Sequence, residues 1–238
     1  MRALVASICC LFSSSLLALE APEAMVPKGV KPGETFYIVF VTAANDIGTF
    51  SSVEKLNEIA NLEADSSNFK GTDDPNIEWK AMFGHADGTV QTANLFEQAD
   101  AAIYNLNGDK IADDVADMFD GNLDAPIAYE QSGFQVSSLV LTSFSAEGET
   151  VAGGLATADG SCPVGLAGHK GAAWAMSGPS YCGSGKGDER MGALYVVSPL
   201  LTAPGEPEVS QQMAVLNFLS NLLPTAAGGK KEDEEQKE

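Results

Sequence analysis

The strongest pattern along the chain is a continuous run of apolar, β-branched and aromatic residues, Phe36 to Thr42 (FYIVFVT). Such a run predicts a buried strand. A capping box, Ser51-Ser52-Val53-Glu54, follows. Behind it Val53, Leu56, Ile59 and Leu62 recur at helical spacing, which predicts a helix over 51–64. The polar stretch SSNFKGTDDPN reads as a loop, and Glu78 to Phe83 (EWKAMF) as a short strand or turn around Trp79. Residues 91–100 form a short helix or an irregular loop. Asn107-Gly108, between Ile103–Leu106 and Lys110–Ala112, is a strong hairpin signal. A helical turn is expected at 113–119. Strands are expected at 136–143, 172–176 and 193–198, with a Gly- and Ala-rich stretch of no clear period between 148 and 171.

The two ends differ from this middle. Met1-Arg2 precedes an apolar run to Leu19, softened by serines, and a small residue follows at the exit. Those are the parts of a cleavable secretory leader, taken here as residues 1–21, with the cut after Ala18 or after Ala21. The run is too short and too serine-rich for a membrane span, which needs roughly 20 apolar residues. Cys9 and Cys10 fall inside it as small hydrophobes. Residues 22–34 read as an extended lead-in punctuated by Pro and Gly. At the far end 207–223 carries an apolar helical stripe between Pro207 and Pro224. A charged tail, 224–238, ends the chain. The principal domain is expected over 35–203.

Composition narrows the compartment and the partners. The chain has 238 residues, 33 acidic against 13 basic, for a formal charge of -20. So negative a surface disfavours nucleic acid and anionic membranes. It suits calcium, a basic partner or a salty medium. Only Cys162 and Cys182 remain after the leader, and in an oxidising compartment two cysteines twenty residues apart predict one disulfide. Secretion to the extracellular space or cell surface is the expected destination.

Candidate chemistry is sparse. Asp113, Asp114, Asp117, Asp120 and Asp124 crowd one segment; Asp113, Asp117, Asp120 and Asp124 are the candidate calcium ligands, since that ion takes clustered oxygens. The segment lacks the Asp-x-Asp-x-Asp-Gly loop, and a solvated or helix-capping role competes with the metal. His85 and His169 are the two imidazoles, and Ser161, Ser177 and Ser180 the nearest nucleophiles. None of the serines sits in a Gly-x-Ser-x-Gly elbow, so a hydrolase is disfavoured. Gly183 to Gly187 (GSGKG) lacks the order of a phosphate loop. Trp79 and Trp174 are candidate ligand contacts, because an aromatic face stacks on a sugar ring. Their competing role is core packing.

The segments EWKAMFG, IYNLNGDKIADDVADMFDGNLDAPIAYEQSG, VSSLVLTSFSAEGET, CPVGLAG, AAWAMSG, SYC and ALYVV, spanning 78–198, resemble the C-type-lectin-like domain. They are most similar to its endostatin-like branch. The resemblance implies an α+β fold of short helices, antiparallel strands and long irregular loops. It also matches Cys162 and Cys182 to the family's late-loop pair. Val196 and Val197 stand where a second cysteine is often found, and the sugar-and-calcium motifs of the sugar-binding members are absent. The expectation is a non-catalytic recognition or adhesion module for a glycan, protein or matrix component. No cofactor is expected unless it is calcium. The alternatives are a coat or matrix protein self-associating through 207–223, and a secreted hydrolase using His85 or His169.

Overall fold

The computed structural model describes residues 18–43, 45–46, 53–84, 95–151, 161–181 and 191–205. For Asn45, Asp46, Ser161, Cys162, Ser180, Tyr181 and Met191 it describes the backbone alone. The chain divides into two units, Met1–Pro204 and Gly205–Glu238. The fold below is that of the first; the helix expected at 207–223 and the tail lie outside the described residues.

In chain order the strands and helices are β1 (Leu19–Glu20), β2 (Thr35–Val41), β3 (Asn45–Asp46), α1 (Val53–Asp65), β4 (Lys80–Met82), β5 (Ala102–Asn105), β6 (Lys110–Ala112), α2 (Val115–Met118), β7 (Leu139–Leu141), β8 (Ser161–Leu166), β9 (Gly178–Tyr181), β10 (Met191–Gly192), β11 (Tyr195–Val197) and β12 (Leu201–Thr202). The class is α+β, mostly strands with few short helices. β2 is the centre of the main sheet. On one side it pairs in parallel with β5 (Phe36 opposite Ala102), and β5 carries β6 antiparallel. On its other side lie β11 (Tyr195 opposite Val41) and β12 (Leu201 opposite Phe36), both antiparallel. β4 flanks β11, and β1 flanks β12 in parallel. β7, β8 and β9 form a separate antiparallel sheet, and β3 pairs with β10.

The alternation of β2 builds two cores. Phe36, Ile38 and Phe40 point to one face, where Leu56, Ala60 and Ala64 of α1 meet them with Trp79 and Leu194. Tyr37, Val39 and Val41 point to the other, among Phe96, Ile111, Met118, Phe144 and Trp174. Both faces being buried explains why the run is continuously apolar rather than alternating. The stripe of α1 is rotated from the expected one. Leu56, Ala60 and Ala64 are buried, whereas Leu62 is exposed. Two alanines let the helix sit close on the sheet, a packing that hydrophobicity alone does not single out. Its proposed capping box begins at residues 51–52, outside the described residues.

α1 also shields a strand edge. Asn57 accepts from the Ala81 amide at 2.9 Å, and Asn61 both accepts from the Trp79 amide and donates to the Trp79 carbonyl, each at 2.9 Å. The outer side of β4 is thereby bonded by helix side chains, which protects an edge that would otherwise pair with another chain. The β5–β6 hairpin forms as expected. Its turn is longer than Asn107-Gly108: Asn105 Oδ1 accepts from the amides of Asn107 and Asp109, and Gly108 takes φ +94°. That φ is costly for any residue with a Cβ.

Several expectations are corrected. Residues 172–176 are not a strand: Ala172–Trp174 is a 3₁₀ turn. The strands of that region are β8 and β9, and β8 falls in the stretch without periodicity. The strand over 136–143 contracts to β7, and Ser143 leaves it with φ +57°. The lead-in is not simply extended, since Glu23–Met25 is a 3₁₀ turn with Met25 buried. Leu19 and Glu20, assigned to the leader, pair with Leu201 and Thr202, so the packed domain starts well before residue 35.

Candidate functional site

The acidic segment connects β6 to the loops beyond α2, and its carboxylates are turned to local tasks. Asp114 caps α2, its Oδ1 accepting from the Asp117 amide at 2.8 Å. Asp117 Oδ2 accepts from the Asp113 amide at 2.7 Å. Asp113 pairs with Lys110, and Asp120 Oδ1 accepts from the Asn122 amide at 3.0 Å. Asp124 is held by its backbone, its amide donating to the Ile111 carbonyl. Among the described residues no group of three or more His, Cys, Asp or Glu side chains is placed to hold a metal ion. The four candidate calcium ligands, Asp113, Asp117, Asp120 and Asp124, are therefore not brought together as a set. Short-range capping and turn bonds separate them.

Neither tryptophan is offered to a ligand. Trp79 is 1 % exposed and Trp174 0 %, so both fill the core, the competing role that the sequence offered. Trp79 packs edge-on against Phe40 at 4.9 Å, and its indole N–H donates to the Thr72 carbonyl at 3.0 Å. Trp174 lies among Phe119, Phe144 and Tyr195, with ring centroids 5.5 to 5.9 Å away. Its carbonyl accepts from the Tyr195 hydroxyl at 2.9 Å, and burial holds that phenol far above its ordinary pKa. Among the described residues the Trp174 indole N–H has no partner, nor do the buried hydroxyls of Ser143 and Thr150.

The other candidates scatter. His169 and Ser177 are exposed, and among the described residues no hydrogen bond joins the His169 ring to a serine or a carboxylate. His85, Cys182 and 183–187 lie outside the described residues. The Cys162 backbone stands opposite Ser180 in the β8–β9 ladder.

Two features were not anticipated. The first is a polar knot at the end of α1. Buried Gln131 donates to Glu63 Oε2 at 2.7 Å, accepts from the Ala43 amide at 3.3 Å, and receives the Ser67 hydroxyl on its carbonyl at 2.6 Å. Loss of water raises the Glu63 pKa, and the charge of Glu130 pushes the same way; bonds from Gln131 and the Ala43 amide oppose them. No local sequence signal marks this knot, because its members lie 68 positions apart.

The second is an exposed apolar row on the small sheet. Leu139 of β7 is 49 % exposed and stands opposite the half-buried Leu166 of β8. Met176, 39 % exposed, stands in the turn before β9, its amide donating to the Ala172 carbonyl at 3.0 Å. Phe134, 70 % exposed, tips a separate turn whose Glu130 amide bonds the Phe134 carbonyl. Among the described residues no helix is long and apolar enough to cross a membrane. No family model matches the chain, and no curated protein or solved structure matches it either.

Proposed function

We propose that this chain is a secreted, non-catalytic recognition module of C-type-lectin-like type, and that its partner is a protein with a basic, apolar-centred surface. The observation that carries the reading is the pair Leu139–Leu166 across β7 and β8, with exposed Met176 in the turn before β9. Apolar side chains aligned across strands on a solvated face suit a protein contact. A formal charge of -20 adds long-range attraction for a basic partner. Burial of both tryptophans removes the stacking platforms that favoured a glycan. The α+β class, the helix laid on a sheet and the loop-rich second half support the C-type-lectin-like assignment. Export and a Cys162–Cys182 disulfide belong to the same reading.

The test is binding of the labelled, oxidised protein to arrayed extracellular proteins and glycans, beside a double variant, L139S/M176S. Saturable binding to basic proteins is expected, weakened about tenfold in the variant, as loss of central apolar contacts gives. It should also weaken with added salt. Binding indifferent to the variant, binding confined to glycans, or reproducible turnover of ester, peptide or glycoside substrates would each sink the proposal.

A further inference from the structure

We infer that the leader is removed at the Ala18–Leu19 bond, and that Leu19-Glu20-Ala21 remain as an edge strand of the mature domain. The inference rests on the secretory reading of the first residues and adds the processing site to it. The residues before the cut do not separate the two candidate bonds. Each has alanine just before the cut, and each has leucine two residues earlier, Leu16 for one and Leu19 for the other. Small residues are favoured at both places, so on that side of the cut the candidates tie.

The fold separates them. The Leu19 amide donates to the Leu200 carbonyl at 3.0 Å, and the Ala21 amide to the Thr202 carbonyl at 2.9 Å. Ala21 is buried and Leu19 packs against the α1-side core. A cut after Ala21 would discard all of this and open the outer edge of β12, leaving its backbone groups free to pair with another chain. It would also have to break an Ala–Pro bond, whose nitrogen is tertiary. A cut after Ala18 keeps the strand. Water adds across the Ala18–Leu19 amide under a signal peptidase, Ala18 leaves with the carboxylate, and Leu19 gains the ammonium. That ammonium forms on the nitrogen already directed at the Leu200 carbonyl, so the hydrogen bond becomes charge-assisted. Cleavage acts on the extended chain before folding, so the fold bears on the choice through what the mature domain has to retain.

The experiment is intact-mass and N-terminal analysis of the full chain exported from a secretory host. A mature protein beginning at Leu19 is expected. One beginning at Pro22, or at any other residue after Met1, overturns the assigned bond while keeping the leader. An exported chain that still begins at Met1 overturns the leader itself, so the two failures are distinguishable. A second measurement compares proteins made directly as 19–238 and 22–238. The shorter should melt lower by roughly 4 °C or more and associate at high concentration. Equal melting and equal association would show that the strand is dispensable and overturn the argument.

Discussion

The two faces of the main sheet are covered by different means. On one, α1 lays Leu56, Ala60 and Ala64 over Phe36, Ile38 and Phe40, and Asn57 and Asn61 bond the neighbouring β4. On the other, loops and short strands bring Phe119, Phe144 and Trp174 onto Tyr37, Val39 and Val41. The helix meets its own backbone needs and offers a ready apolar stripe. Loops have to find partners for their polar groups one at a time. Among the described residues the buried indole N–H of Trp174, on the loop-covered side, has no partner. That side also carries Ser143 at φ +57°. Such features cost stability and are kept where a surface is shaped for something other than stability.

The largest effect expected is that of crowding the loop-covered face. Two close approaches leave no room for a Cβ. A Cβ on Gly165 of β8 would lie 2.0 Å from the Trp174 carbonyl oxygen, and one on Gly84 would lie 2.0 Å from that of Ser143. Both obstacles are backbone, which cannot rotate away. Gly165→Ala and Gly84→Ala should each cost about 4 kcal/mol or abolish folding, read by urea unfolding of the oxidised protein. A cost below about 1 kcal/mol would mean that the loops adjust freely.

Next in size are the tryptophans, which occupy equivalent roles on opposite faces. Trp79→Phe loses ring volume and the bond to Thr72, and leaves that carbonyl short of a donor. About 3 kcal/mol is expected. Trp174→Phe loses the same volume but also removes a buried N–H that has no partner among the described residues. Relief of that penalty should bring its cost down to about 1 kcal/mol. Equal losses in denaturant titrations would show that the Trp174 indole is satisfied in solution, and the contrast between the faces would narrow.

How much of this was legible beforehand follows the same divide. β2, α1 and the β5–β6 hairpin were readable because their periodicity or turn residues are local. The loop-covered side was not. β8 reads SCPVGL, with a proline and an obligatory glycine and no alternation; its place depends on the close approach of Gly165 to the Trp174 carbonyl, which no periodicity announces. Residue type could not say whether Trp79 and Trp174 stack on a ligand or fill a core, since the same apolar face serves both. The aspartates were visible as a cluster, but their capping and turn bonds depend on the fold of the segment. Leu19 and Glu20 were hidden for another reason: an apolar leader and an apolar edge strand look alike.

Glu63 joins the two coverings, and the smallest effect tests that joint. Its carboxylate holds Gln131, which in turn receives the Ala43 amide just beyond β2. Burial first, and Glu130 after it, raise the folded-state pKa above 4.5. The folded protein therefore keeps this proton where the unfolded chain has lost it. Stability from this group is fully present below 4.5 and is lost as pH rises through the folded value. Glu63→Gln keeps an oxygen for the Gln131 amide and cannot titrate. The difference in unfolding free energy between variant and wild type should then move in the variant's favour from pH 4.5 upward and level off once the pH has passed the folded value. Its total should stay under about 1 kcal/mol, because the site is half-open to screening water. A difference that moves toward the wild type instead would mean that the ionised carboxylate is the form the knot was built to hold. The end of α1 would then be tied to the Gln131 turn by charge rather than in spite of it.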